Sequence, residues 1–147
     1  MSHNILMIAY TNYTTDSRVI REAEAVRENG YEVDFIALKR ENDTNREKIN
    51  GINIYRVKQH RYRGKKTEFY IFSYIEFLIR CLFLVTILYM KKKYKVVHVN
   101  NMPDFVVFCA IVPKLFGAKI ILDIHDSMAL MFLTKFNASK YDYKYKM

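Results

Sequence analysis

The sequence predicts an α/β protein built as a single Rossmann-like, doubly wound parallel sheet. Three observations lead there. Short apolar runs alternate with helical patterns along the chain, the signature of strands joined by crossover helices. Several runs are almost continuously apolar, as strands covered on both faces must be. Polar residues gather directly after the runs, where an open α/β sheet keeps its ligand crevice. The 147 residues are 51% hydrophobic and 27% charged, enough for one domain with a real core and too apolar for disorder.

In chain order, Asn4–Tyr10 is the first strand and Thr11–Asp16 a polar loop, with Asp16 or Ser17 placed to cap a helix over Ser17–Asn29. Val19, Ile20, Ala23 and Val26 recur there at helical spacing, and Gly30 stands where a helix C-terminal glycine belongs. Glu32–Leu38 is the second strand, Lys39–Asn50 a charged loop, and Ile52–Val57 the third strand. After the basic loop Lys58–Lys66 comes the long apolar segment Phe69–Met90. Lys95–Val99 is the fourth strand and Pro103 suits a first helical turn. Phe105–Phe116 reads as a strongly apolar helix stopped by Gly117, and Ile120–Ile124 as the fifth strand. Met128–Phe136 looks helical, and 137–147 is a polar Tyr/Lys-rich tail.

The formal charge of +9 is clustered: Arg56, Lys58, Arg61, Arg63, Lys65 and Lys66 carry no intervening acid, and Lys91, Lys92, Lys93 and Lys95 follow the apolar segment. Such clusters suit an anionic partner, whether a phospholipid surface or a phosphate-bearing substrate, or form a merely solvated face. Without a recognisable binding motif, nucleic acid is not expected. Cys81 and Cys109 lie in apolar runs without metal-ligand spacing and read as buried hydrophobes in a reducing compartment. No basic n-region precedes Ile5–Tyr10, so the expected location is cytoplasmic, peripheral at most to the inner face of a membrane.

Phe69–Met90 is long enough to span a bilayer, but Glu76 and Arg80 lie inside it at i,i+4 spacing, with Ser73 expected on the same side. Three placements are open: a crossover helix buried against the sheet, an interfacial docking helix, or a span.

The loop after the first strand, Tyr10-Thr11-Asn12-Tyr13-Thr14-Thr15-Asp16, contains no glycine. The backbone approach that dinucleotide and P-loop sites need is therefore missing, which argues against nicotinamide, flavin and nucleoside triphosphate hydrolysis by the usual loop chemistry. Lys119–Asp126 ends in Asp123, His125 and Asp126, an imidazole between carboxylates suited to proton handling or hydroxyl recognition. The plainer reading is that the two aspartates cap the next turn. His98, inside an apolar strand, reads as a core or rim histidine.

Three motifs carry a resemblance. Asp16-Ser17-Arg18-Val19 through Arg21-Glu22-Ala23-Glu24 to Asn29-Gly30-Tyr31-Glu32-Val33 is similar to the opening of the glycosyltransferase family 4-like amino-terminal domain. Val96-Val97-His98-Val99-Asn100-Asn101-Met102-Pro103-Asp104 resembles that family's fourth strand and loop, and Lys114–Asp126 its fifth. The resemblance covers residues 1–136 as the acceptor-side half of a GT-B fold, with the carboxyl-terminal donor domain expected to be absent from this chain. It implies a retaining transfer from a nucleotide-sugar to a glycan or lipid-linked acceptor in cell-surface polysaccharide synthesis, with no cofactor and no bound metal.

His125 then matches the catalytic histidine near the transferred sugar. Asn12, Asp16, Arg18, Asn100, Asn101, Asp104 and Asp126 would contact substrate, Arg18 either as a phosphate ligand or merely paired with Glu22. A separate donor-domain subunit would be needed for activity. The competing reading is a non-catalytic Rossmann-like module that binds a membrane or partner.

Overall fold

The computed structural model describes residues 3–59, 67–100 and 103–124. Residues 60–66 of the basic loop, the helix expected at 128–136, the tail 137–147, Asn101, His125 and Asp126 lie outside them.

Six strands form one sheet: β1 (Asn4–Ala9), β2 (Glu32–Leu38), β3 (Arg46–Ile49), β4 (Ile52–Val57), β5 (Val96–Asn100) and β6 (Lys119–Asp123). Their order is β3-β4-β2-β1-β5-β6, parallel except for β3. Helix α1 (Ser17–Glu28) joins β1 to β2, α2 (Thr67–Lys92) joins β4 to β5, and a 3-10 stretch (Asp104–Ala110) leading into α3 (Ile111–Leu115) joins β5 to β6. This is an α/β fold with a six-stranded, mostly parallel sheet, as the alternating pattern predicts. Central β1 and β2 are buried almost throughout, the consequence of cover on both faces.

The period of two along each strand separates two cores. Met7, Ala9, Val33, Phe35, Ala37, Ile52 and Ile54 meet Val19 and Ala23 of α1 on one face. Leu6, Ile8, Ile36, Leu38, Val97 and Val99 meet Tyr74, Phe77, Cys81, Val85 and Leu88 of α2 on the other. Cys81 and Cys109 are free thiols in that second core, and burial pushes the pKa of both upward, Cys109 to about 12. As thiols held in the neutral form they are packing residues.

Helix α2 is fastened at both ends. Ser73 Oγ lies 2.7 Å from Tyr10 Oη and accepts from Gln59 Nε2 at 3.0 Å, tying its start to the carboxyl ends of β1 and β4. At its other end Lys92 Nζ reaches the buried carboxylate of Asp34 at 2.7 Å. Asn53 Nδ2 donates to the same group at 2.7 Å, and so does the Tyr94 hydroxyl. The charge of Asp34 is thereby matched by a cation and two neutral donors, the condition for burying a carboxylate. Ser73 is buried, whereas Glu76 and Arg80 pair at 2.8 Å toward solvent, so the expectation of one shared side does not hold.

The charged loop expected over Lys39–Asn50 instead contains β3, antiparallel to β4 with Ile49 opposite Ile52. Asn50 and Gly51 both have positive φ (47° and 83°), as a two-residue hairpin turn of the mirror-image type demands. Arg56, counted among the basic cluster, is buried beneath this hairpin and pairs with Glu47 at 2.7 Å and Asp43 at 3.3 Å. It adds nothing to a basic surface.

The continuous helix expected over Phe105–Phe116 is also divided. Pro113 has no N–H to give the carbonyl of residue 109 and its ring crowds that oxygen, so the α-helix starts at Ile111, leaving Pro113 in its first turn. Pro103 sits before the 3-10 stretch, in extended conformation. Gly117, at φ +92°, ends α3 with Ala118 N–H bonded to Pro113 O and Gly117 N–H to Lys114 O, a Schellman closure.

Removing the Asp34 carboxylate leaves Lys92 and Tyr94 without their shared partner. Asp34→Ala is expected to cost about 3 kcal/mol, read as a lower urea midpoint with an unchanged slope.

Candidate functional site

Strand order reverses at β1. Its neighbour β2 is reached through α1 on one face, and β5 on its other side is entered from α2 on the opposite face. The crevice at such a switch point opens at the carboxyl ends of the strands. Here the loop after β1, the N-terminus of α1, the end of β5 and the end of β6 meet.

The loop after β1 is built from its own polar groups. Leu38 N–H donates to Thr11 O at 2.8 Å and Asn12 Nδ2 donates to Leu38 O at 3.2 Å, pinning the loop to the end of β2. Asn12 O accepts from the Thr15 N–H and hydroxyl, both at 3.1 Å, closing a 3-10 turn over Tyr13–Thr15. Asn12 therefore shapes the crevice wall with the side chain assigned to substrate. Tyr13 is buried edge-on to Phe35 at 4.9 Å, and burial followed by the Glu24 charge pushes its phenol up to about 12.

Asp16 caps α1, accepting from Arg18 N–H at 3.2 Å. The Arg18 guanidinium adds bonds of 3.2 Å and 3.1 Å to the two carboxylate oxygens. Burial pushes the Asp16 pKa up, but the Arg18 bonds and charge, together with a Thr11 bond, outweigh it and leave the group below the ordinary carboxylate range. The nearly neutral Asp16–Arg18 pair is better matched to sugar hydroxyls than to a phosphate, which would have to compete with Asp16 for the guanidinium.

Across the crevice, β5 alternates. Val97 and Val99 enter the α2 core, while His98 and Asn100 face the α1 side. Asn100 is opposite Asp123 of β6. Glu22 of α1 completes the group: its Oε2 accepts from Asn100 Nδ2 at 2.6 Å. Nitrogen or oxygen atoms of Glu22, His98 and Asp123 lie within 4.8 Å of one another, all half-buried. Among the described residues this is the set able to hold a metal ion, and the same set can bind hydroxyl groups. Asn100 is 3% exposed, and its Oδ1 has no hydrogen-bond partner among the described residues. Asp104 begins the 3-10 stretch beyond the β5 loop and is half-buried.

Glu22 and His98 are not among the substrate contacts expected from sequence, whereas Asp123 is singled out there beside His125 for proton handling or hydroxyl recognition. The signal available was the alternation in β5, two polar side chains on one face where the other holds only valine. A cavity of about 400 Å³ lined by His3, Asn4, Tyr31, Lys95 and Lys119 lies at the opposite, amino-terminal edge of the sheet, away from the switch point.

No family model matches the chain, and no curated protein matches it. Among solved structures it is similar to sucrose-phosphate synthase from Thermosynechococcus elongatus, with a TM-score of 0.67 over 97% of this chain at 15% identity. This chain spans 38% of that synthase's length. A shorter chain of the same enzyme matches over 90% of this chain and 68% of its own length, with a TM-score of 0.57 at 16% identity. At such identities the likeness is one of fold: the domain is similar to one half of a GT-B glycosyltransferase.

Asp16→Ala is expected to lower stability by about 1 kcal/mol at pH 7 through loss of the cap. Because the folded pKa is depressed, this contribution is present above the unfolded value near 3.8 and is lost as pH falls through the folded one. The difference in urea midpoint between wild type and variant should therefore be constant near neutrality and shrink below pH 4.

Proposed function

We propose that this chain is the acceptor-side half of a glycosyltransferase related to the family 4-like group, which transfers a sugar from a nucleotide-sugar to a glycan or lipid-linked acceptor. The observation that carries the reading is the character of the switch-point crevice. It offers carboxylates, carboxamides and an imidazole, groups that bind hydroxyls, and no glycine loop for a pyrophosphate. The likeness to half of a GT-B enzyme supports it from the fold.

In this reading Asn100, Glu22 and Asp123 hold acceptor hydroxyls and Asp104 borders them. The Asp16–Arg18 pair closes the α1 side, and Asn12 fixes the loop. Asn101 and Asp126 are kept as further acceptor contacts and His125 as the catalytic group, on their place in the family motif. In the transfer the bond from the sugar's C1 to the nucleotide diphosphate breaks, the acceptor oxygen bonds C1, and the acceptor's proton leaves with the diphosphate. Orienting two substrates in one cleft is where such a barrier is lowered, so donor-binding surface from a second domain, in cis or in trans, completes the site.

The test titrates UDP- and GDP-sugars into the chain and then supplies a donor-side half with an oligosaccharide acceptor. The chain alone is expected neither to bind nor to hydrolyse the nucleotide-sugars, and transfer should appear on reconstitution. His125→Ala should then lower turnover at least a hundredfold with the fold intact by circular dichroism. Hydrolysis by the lone chain would contradict an acceptor-only role. Unchanged turnover in the variant would remove His125 from the site. Failure of transfer with every donor half would favour a non-catalytic module.

A further inference from the structure

The face of α2 turned away from the sheet is largely apolar, like the face packed on it, and is interrupted by the Glu76–Arg80 pair. Tyr74, Phe77, Cys81, Val85 and Leu88 line the core, while Phe72, Ile75, Ile79, Phe83, Ile87 and Met90 form an exposed stripe at i+3 and i+4 spacing. Phe72, Phe83 and Met90 are each about two-thirds exposed. A helix on a water-facing surface presents a polar outer stripe; between Phe72 and Ile87 the charged residues on this one are Glu76 and Arg80, paired with each other. Beside α2 lies α3: Tyr89, on the core side of α2, donates to Phe116 O at 3.2 Å, and Leu115 and Phe116 there are exposed at 78% and 69%. Together these residues exceed the scattered apolar exposure usual on a protein surface.

Charge decides among the occupants of such a face. Lys91 and Lys93 at the carboxyl end of α2 and Lys114 on α3 are exposed. Glu76, an acid on this helix's outer side, is offset by Arg80 at 2.8 Å. An apolar band with exposed lysines at its end matches lipid acyl chains beneath anionic headgroups. The window Ile71–Lys92 has a mean hydropathy of 2.1, sufficient for a span by composition. However, its other face is the core of the domain, so the helix cannot be surrounded by lipid without dissolving that core.

We propose that the outer face of α2, extended by α3, docks the domain flat on an anionic membrane surface, with the stripe in the interface and Lys91, Lys93 and Lys114 on the headgroups. The inference goes beyond glycosyl transfer and does not depend on it.

The test is co-sedimentation of the full chain with phosphatidylcholine vesicles and with vesicles containing 30% phosphatidylglycerol, alongside light scattering without lipid. The expected result is a monomer that binds the anionic vesicles, at least ten-fold more weakly the neutral ones, and less at high salt. Phe72→Glu with Phe83→Glu should weaken binding at least ten-fold, and Lys91→Glu with Lys93→Glu at least five-fold. All four positions are exposed, and circular dichroism checks that the variants fold. No binding to anionic vesicles, or binding indifferent to lipid charge and to both variants, would overturn the proposal. A lipid-free dimer that Phe83→Glu splits, with no vesicle binding, would overturn it in favour of a second copy of the chain.

Discussion

Helix α2 has to carry the chain from β4, on one side of β1, to β5 on the other, and most of the structure depends on that crossing. It reverses the strand order at β1 and so opens the crevice at the carboxyl ends of β1 and β5. It also needs an apolar face long enough to cover the sheet from end to end. Hydrogen bonds at both extremities hold it there, Ser73 to Tyr10 and Gln59 at the crevice end, and Lys92 to Asp34 at the other. The crevice floor and the helix that carries the exposed stripe are thus one mechanical unit.

The crevice follows from strand alternation more than from any loop motif. In β5 the valines satisfy the α2 core, which leaves His98 and Asn100 on the face where α1 offers Glu22. Parallel register then sets Asp123 opposite Asn100. Four polar groups are gathered without a glycine-rich turn, and the buried Oδ1 of Asn100, unpartnered among the described residues, is a hydrogen-bonding position that a hydroxyl could fill. Docking through α2 would hold this crevice close to a membrane, a placement that suits a lipid-linked acceptor.

Much of the fold was legible because its signals are local. Apolar strands, the Asp16 cap and the stop at Gly30 each depend on neighbours in sequence. The β3–β4 hairpin was legible too, in the dipeptide Asn50-Gly51, but the surrounding charges masked it; the same charges proved to be partners of buried Arg56. Pro113 similarly announced the break before α3. The Glu22–His98–Asp123 grouping was not legible, since it joins a helix and two strands through a register only the folded sheet sets. Nor could hydropathy assign α2 a place, because both its faces are apolar and only the sheet distinguishes them.

The functional surface proposed for this chain is the crevice at the carboxyl ends of its strands. Amide spectra of the isotope-labelled chain, titrated with short neutral oligosaccharides, test it most directly. Shifts are expected to concentrate at Asn12, Arg18, Glu22, Asn100 and Asp123. Shifts gathered instead around His3, Lys95 and Lys119, at the amino ends of the strands, would contradict it.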